Sequence, residues 1–109
     1  MKSFVRDLAR DDILRQYRYL LSEQESPSTA ERFLQSIQKS MRQIRRNPGI
    51  GSPRFLSNPK LAGLRSWAVE DFPSIRIYYL VSENAIRIIR VLHGKRDISP
   101  LLEIDPDNI

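Results

Sequence analysis

Cysteine is absent from these 109 residues, so disulfides and thiolate metal sites are ruled out and a reducing compartment is permitted. A single histidine, His93, leaves too few imidazoles for a histidine-based metal site, and no cofactor is expected. Long apolar runs are also missing. The longest, Ile77 to Val81, falls far short of the roughly 20 residues that a membrane helix needs. The opening Met-Lys-Ser-Phe-Val-Arg-Asp becomes charged too soon for a signal peptide, which points to a cytoplasmic domain that does not engage a membrane. No carboxylate pair, Gly-rich phosphate loop or nucleophile motif is present, so the familiar enzyme signatures are lacking.

What is present is a basic chain of globular composition. Apolar residues make up 40% and charged residues 28%, which fits one folded domain of this length with a single modest core. The formal charge of +5 points to an anionic partner, a nucleic acid or an acidic protein, although it also serves solubility. The excess of base lies in residues 1–96. The tail, 97–109, holds four acids and no base, and could lie against the basic body.

Residues 1–6 include a short strand, Ser3 to Arg6. Asp7 is placed to cap a helix running to about Glu23, with Ile13, Tyr17, Leu20 and Leu21 as its apolar stripe and Asp12 and Gln16 on a flank. A second helix begins at Ser26-Pro27, or at a Ser28/Glu31 capping box, and ends near Asn47 before Pro48. Its apolar face is Ala30, Phe33, Leu34, Ile37, Met41 and Ile44, and the short joint makes 7–47 an antiparallel helical hairpin. Residues 48–60, with Ile50, Phe55 and Leu56 to pin them, form a long loop rich in proline and glycine.

From Leu61 the apolar period changes to two. Three strands follow, Leu64 to Val69, Ile75 to Val81 and Ala85 to Leu92, separated by turns at Asp71-Phe72-Pro73-Ser74 and Glu83-Asn84. The expected fold is α+β: a short N-terminal strand, the helical hairpin, and a three-stranded antiparallel meander over 61–96 packed against it.

The final strand, Ala85 to Leu92, runs into the basic corner His93-Gly94-Lys95-Arg96. Strict alternation puts Arg87, Ile89 and Val91 on one face and Ile86, Ile88, Arg90 and Leu92 on the other, so each face carries an arginine. Arg65, Arg76, Arg87 and Arg90 fall on neighbouring strands and should reach a sheet surface free of helices. There they would hold phosphates beside Tyr78 or Tyr79, or else Arg65, Arg76 and Arg90 pair with Glu70, Asp71, Glu83 or the acidic tail. His93 has the chemistry of a general acid or base, with Lys95 and Arg96 to stabilise an anion, but it equally suits a hydrogen-bonded corner.

The helical hairpin, Gly63-Leu64-Arg65, the strand Ile75-Arg76-Ile77-Tyr78-Tyr79 and the ending Ile89-Arg90-Val91-Leu92-His93-Gly94-Lys95-Arg96-Asp97 together resemble the RelE/ParE toxins of type II toxin–antitoxin modules. The resemblance implies a toxin bound and silenced by a cognate antitoxin, in a hetero-oligomer. RelE-like members cut messenger RNA on the ribosome, and ParE-like members poison DNA gyrase. Arg65 falls on the second-strand arginine of the RelE-like pattern and Arg96 on its basic C-terminal turn, which makes Arg65, His93 and Arg96 the catalytic candidates if the chain cuts RNA. The C-terminal tyrosine of that pattern has no counterpart after Asp97, and the His93 to Asp97 ending looks more like the ParE branch. The resemblance therefore implies a gyrase inhibitor that acts by binding, with a ribosome-dependent messenger RNA endonuclease as the alternative and a non-toxic antitoxin-binding relative as a third reading. In the favoured case Arg90, His93, Lys95 and Arg96 form the target-facing edge, and Arg65, Arg76 and Tyr79 support them or meet the antitoxin.

Overall fold

A computed structural model describes residues 1–94. The order of elements is β1 (Lys2–Val5), α1 (Asp7–Ser22), α2 (Pro27–Arg46), β2 (Ser52–Pro53), a 3-10 turn (Pro59–Leu61), β3 (Arg65–Val69), β4 (Phe72–Ser82) and β5 (Ala85–His93). The meander is present, but the sheet is wider than three strands. Its order is β1-β5-β4-β3-β2, with β1 parallel to β5 and the other pairs antiparallel. The architecture is α+β, as expected from the sequence. The long loop contributes the two-residue edge strand β2, where Pro53 can stand because an edge strand can spare an N–H.

Both helices form over the stretches with a helical apolar period, and their ends refine the expected caps. Arg6, not Asp7, is the N-cap of α1, and Asp7 becomes the first helical residue, where its charge favours the dipole. Ser26 occupies the N-cap position of α2 without a side-chain capping bond, and Pro27 opens the helix, which decides between the two expected starts. The forecast face of α2 is the observed one: Ala30, Phe33, Ile37 and Ile44 are buried, and Leu34 and Met41 pack against the same core. The rings of Phe33 and Phe72 meet edge to face at 5.4 Å, which joins this face to the start of β4. Polar ties hold α2 to β3. The Trp67 indole N–H donates to Gln43 Oε1 at 2.9 Å, and the buried Ser40 hydroxyl accepts the Glu70 N–H at 2.9 Å.

The helices cover one face of the sheet. That face carries Val69, Ile75, Ile77, Tyr79, Ile86, Ile88 and Val91, packed with Phe33, Ile37 and Ile44. A second, smaller cluster contains Leu61, Leu64, Tyr78, Ile89 and Leu92, with Leu56 and Leu80 against it. Val91 therefore sides with Ile86 and Ile88, not with Arg87 and Ile89 as strict alternation would have it. The cause is a bulge. Tyr78 pairs with Arg90 and Tyr79 with Ile88, so Ile89 has no partner and the inward positions step from 88 to 91.

The loop after α2 is pinned, though not by Phe55, which is 94% exposed. Ile50 joins the main core and Leu56 the smaller cluster. The Tyr79 hydroxyl donates to the Pro48 carbonyl at 2.7 Å and accepts the Gly51 N–H at 2.9 Å. Only glycine fits there, since a Cβ on residue 51 would lie 2.6 Å from that hydroxyl and 2.9 Å from the Ser66 carbonyl.

Candidate functional site

The arginines of the sheet fall into two groups. Arg90 is 9% exposed and stands in the interior because Asp12, 1% exposed, is beside it. Its Nε donates to Asp12 Oδ2 at 2.8 Å and its Nη2 to Oδ1 at 2.9 Å, a bidentate pair. That hydrogen bonding raises the Arg90 pKa, outweighing the opposing effect of burial. Arg15 approaches the same carboxylate from the solvent side.

The position of this pair follows from the length of β1. Its pairing with β5 stops at Val5–Ile88, which would leave the edge of β5 beyond Ile88 without a neighbour. Side chains of α1 take over that edge: Asp12 Oδ2 accepts the Val91 N–H at 3.0 Å, and Gln16 Nε2 donates to the Val91 carbonyl at 3.0 Å. Asp12 and Gln16, one helical turn apart, replace the missing strand. Arg90 is thus a structural ion-pair partner and not an open cation on a rim. The sequence carried the clue, because Ala9, Asp12, Ile13 and Gln16 form an i, i+3, i+4, i+7 stripe that a flank assignment for Asp12 overlooked.

The second group lies on the face away from the main core. Ser66 on β3 sits directly across from Tyr78 on β4, and its buried hydroxyl accepts from two guanidiniums. Arg76 donates Nε to Ser66 Oγ at 3.0 Å and Nη2 to the Ser66 carbonyl at 3.1 Å. Arg54, just after β2, donates its own Nε to the same Oγ at 3.0 Å and stands 5.9 Å over the Tyr78 ring. Neither guanidinium meets a carboxylate among the described residues. Burial pushes the Tyr78 hydroxyl pKa up, and the charges of Arg54 and Arg76 act against that rise. Arg54 was not singled out from the sequence, since it lies in the loop, far along the chain from the strand arginines.

The remaining candidates have other surroundings. Arg65 is half-buried and donates Nη1 to the Gly51 carbonyl at 2.7 Å and to the Gly49 carbonyl at 3.3 Å, which braces the loop that Tyr79 also holds. Tyr78 and Tyr79 are both 0% exposed, so neither ring is open for a base to stack on, and the Tyr79 hydroxyl holds the loop after α2. His93 is exposed at the end of β5, opposite Ile75. Arg87 is exposed at the opposite end of that strand, between Phe4 and Leu80 in the register. Lys95, Arg96 and the acidic tail lie outside the described residues. The expected ion pairs of Arg65 and Arg76 with Glu70, Asp71 or Glu83 are not formed; Glu70 pairs with Lys39 at 2.9 Å.

Residues 4–98 match the family described as the ParE toxin of the type II toxin–antitoxin system, parDE. The chain belongs to the ParE toxin family. Among solved structures it is similar to a chain titled as the chromosomal ParDE TA system from P. aeruginosa, with a TM-score of 0.65 and 20% identity. That alignment covers 85% of this chain and 95% of the other, a likeness of fold. No curated protein matches the chain significantly. The ParE branch is thereby supported, and the antitoxin relationship comes with the family. No helix among the described residues is long and apolar enough to cross a membrane.

Proposed function

We propose that this ParE-family chain is a toxin that arrests growth by binding DNA gyrase and is silenced by a cognate antitoxin. The observation that carries the reading is the family match over residues 4–98, which includes the helical hairpin, the whole meander and the basic corner. The burial of both sheet tyrosines favours it over RNA cleavage, because an aromatic that stacks on a base has to be open to it. The body of the toxin is basic, which suits an acidic antitoxin segment and a partner engaged with DNA.

Under this reading Arg90 acts through the fold, by fixing the last turns of β5 before the His93 corner. His93, Lys95 and Arg96 remain the proposed target-facing residues, and Arg65 and Arg76 the supporting ones. The test is induction of the chain without its antitoxin. Growth arrest with accumulated gyrase–DNA cleavage complexes and intact messages is the expected outcome. Messages cut at codon boundaries on ribosomes would overturn it in favour of the endonuclease, and unimpaired growth with folded protein would leave only the non-toxic relative.

A further inference from the structure

Two guanidiniums on a single neutral oxygen are an unusual arrangement for a structural contact. Like charges repel, and a lone serine hydroxyl has only two lone pairs to offer them. Arg90, on the same sheet, shows how this fold stabilises an arginine when stability is the purpose: a buried carboxylate bound through two parallel hydrogen bonds. Arg54 and Arg76 have instead a serine, a carbonyl and the face of Tyr78. Both are half-buried, which strengthens the field of each guanidinium over that of a fully hydrated charge.

The third component is Tyr78. Its hydroxyl is buried and makes no hydrogen bond, a rare condition for a group that can both donate and accept. It shares a face with Ser66, directly opposite, and with Arg76, two residues earlier on β4. Gly94 adds a steric condition, since a Cβ there would lie 2.7 Å from Arg76 Cδ, so the turn after β5 closes over the stem of this arginine and fixes where its head points. The surroundings, Leu56, Leu61, Leu64, Leu80, Ile89 and Leu92, are apolar and supply no competing acceptor.

We infer that Arg54, Arg76 and the Tyr78 hydroxyl form an oxyanion-binding site centred on Ser66, built for a carboxylate or phosphate group carried by a partner molecule. Ser66 takes one Nε–H from each arginine and so holds the two forks in register, with their remaining N–H groups available to the ligand. An oxyanion would neutralise two adjacent cations at once and give the Tyr78 hydroxyl an acceptor. The site adjoins the His93 corner through Gly94 and Arg76, yet it rests on Arg54, Arg76 and Tyr78 alone and so holds whichever target the toxin has.

The test is a titration of the purified full-length chain with inorganic phosphate and, separately, with sodium acetate, at ionic strength matched by chloride. It is followed through the NMR Nε–Hε signals of Arg54 and Arg76. Saturable shifts of both signals are expected, with binding about tenfold or more weaker in Arg54→Gln and Arg76→Gln. Tyr78→Phe should weaken binding while leaving the thermal midpoint near that of the wild type. A stronger response to phosphate assigns the site to a phosphate-bearing partner, and an equal or stronger response to acetate assigns it to an acidic side chain. Signals that do not move in the folded wild type, or equal binding by the two Gln variants, would overturn the inference.

Discussion

Arg90 and Arg76 are both arginines of the central strands, yet they illustrate opposite ways of placing a charge. Arg90 has a buried carboxylate across from it, two parallel hydrogen bonds and a backbone N–H bound to the same oxygen pair. Arg76 shares a serine hydroxyl with a second arginine and has no carboxylate among the described residues. A charge brought into a fold is tolerated when its counter-charge comes with it. Arg54 and Arg76 have no such counter-charge among the described residues, and on that ground they are proposed to receive one from a partner. The contrast separates the part of the sheet that holds the molecule together from the part proposed to bind a partner.

The largest effect should come from breaking the first half of this contrast. Asp12→Ala leaves the Arg90 guanidinium in the interior without its carboxylate and frees the Val91 N–H, and urea unfolding should show a loss of about 3–5 kcal/mol. A loss under about 1 kcal/mol would mean that water reaches Arg90 and that the pair is not a keystone. Gly51→Ala should follow at about 1–3 kcal/mol, because its Cβ would meet backbone as well as the Tyr79 hydroxyl. Tyr79→Phe removes the bonds to Pro48 and Gly51 and should cost about 1–2 kcal/mol, with faster amide exchange at Gly51.

A smaller effect appears with pH. Burial raises the pKa of both Tyr78 and Tyr79 above the ordinary phenol value. The folded state therefore binds those protons more tightly than the unfolded chain does. Their contribution is fully present below about pH 10, the ordinary phenol value, and is lost as pH rises above it. Thermal midpoints should fall from about pH 10 upward, and less steeply in Tyr79→Phe. Gly94→Ala should have the smallest effect on stability, since the atom in its way is the flexible stem of Arg76, yet it should displace that guanidinium and weaken oxyanion binding.

Periodicity made most of the fold legible. The 3.6-residue stripe of α2 and the alternation in β3 and β4 gave the right elements, although the turn lies at Glu70-Asp71 and β4 already begins at Phe72, inside the expected Asp71 to Ser74 turn. It failed at β5, where the bulge at Ile89 shifts Val91 to the helix-covered face; a bulge is set by pairing with β4 and has no local signature. It also missed β2, which has only two residues and depends on β3 for its definition. At the site, the sequence drew attention to Arg76 but not to Arg54 or Ser66. Their meeting requires the loop after α2 to fold back along β3, held by Arg65 and Tyr79. Arg90 was placed on the wrong side of the contrast because its partner lies 78 positions away, on a helix whose inward stripe includes an acid.

The comparison of the two arginine groups can be decided by one unfolding experiment on the double variant Arg54→Gln/Arg76→Gln. Glutamine retains a donor for Ser66 while removing both charges, so urea unfolding should place the variant within about 1 kcal/mol of the wild type or slightly above it, as repulsion is relieved. A loss of 3 kcal/mol or more, of the order expected for breaking the Asp12–Arg90 pair, would show that Arg54 and Arg76 are structural and that this face of the sheet holds no site poised for a partner.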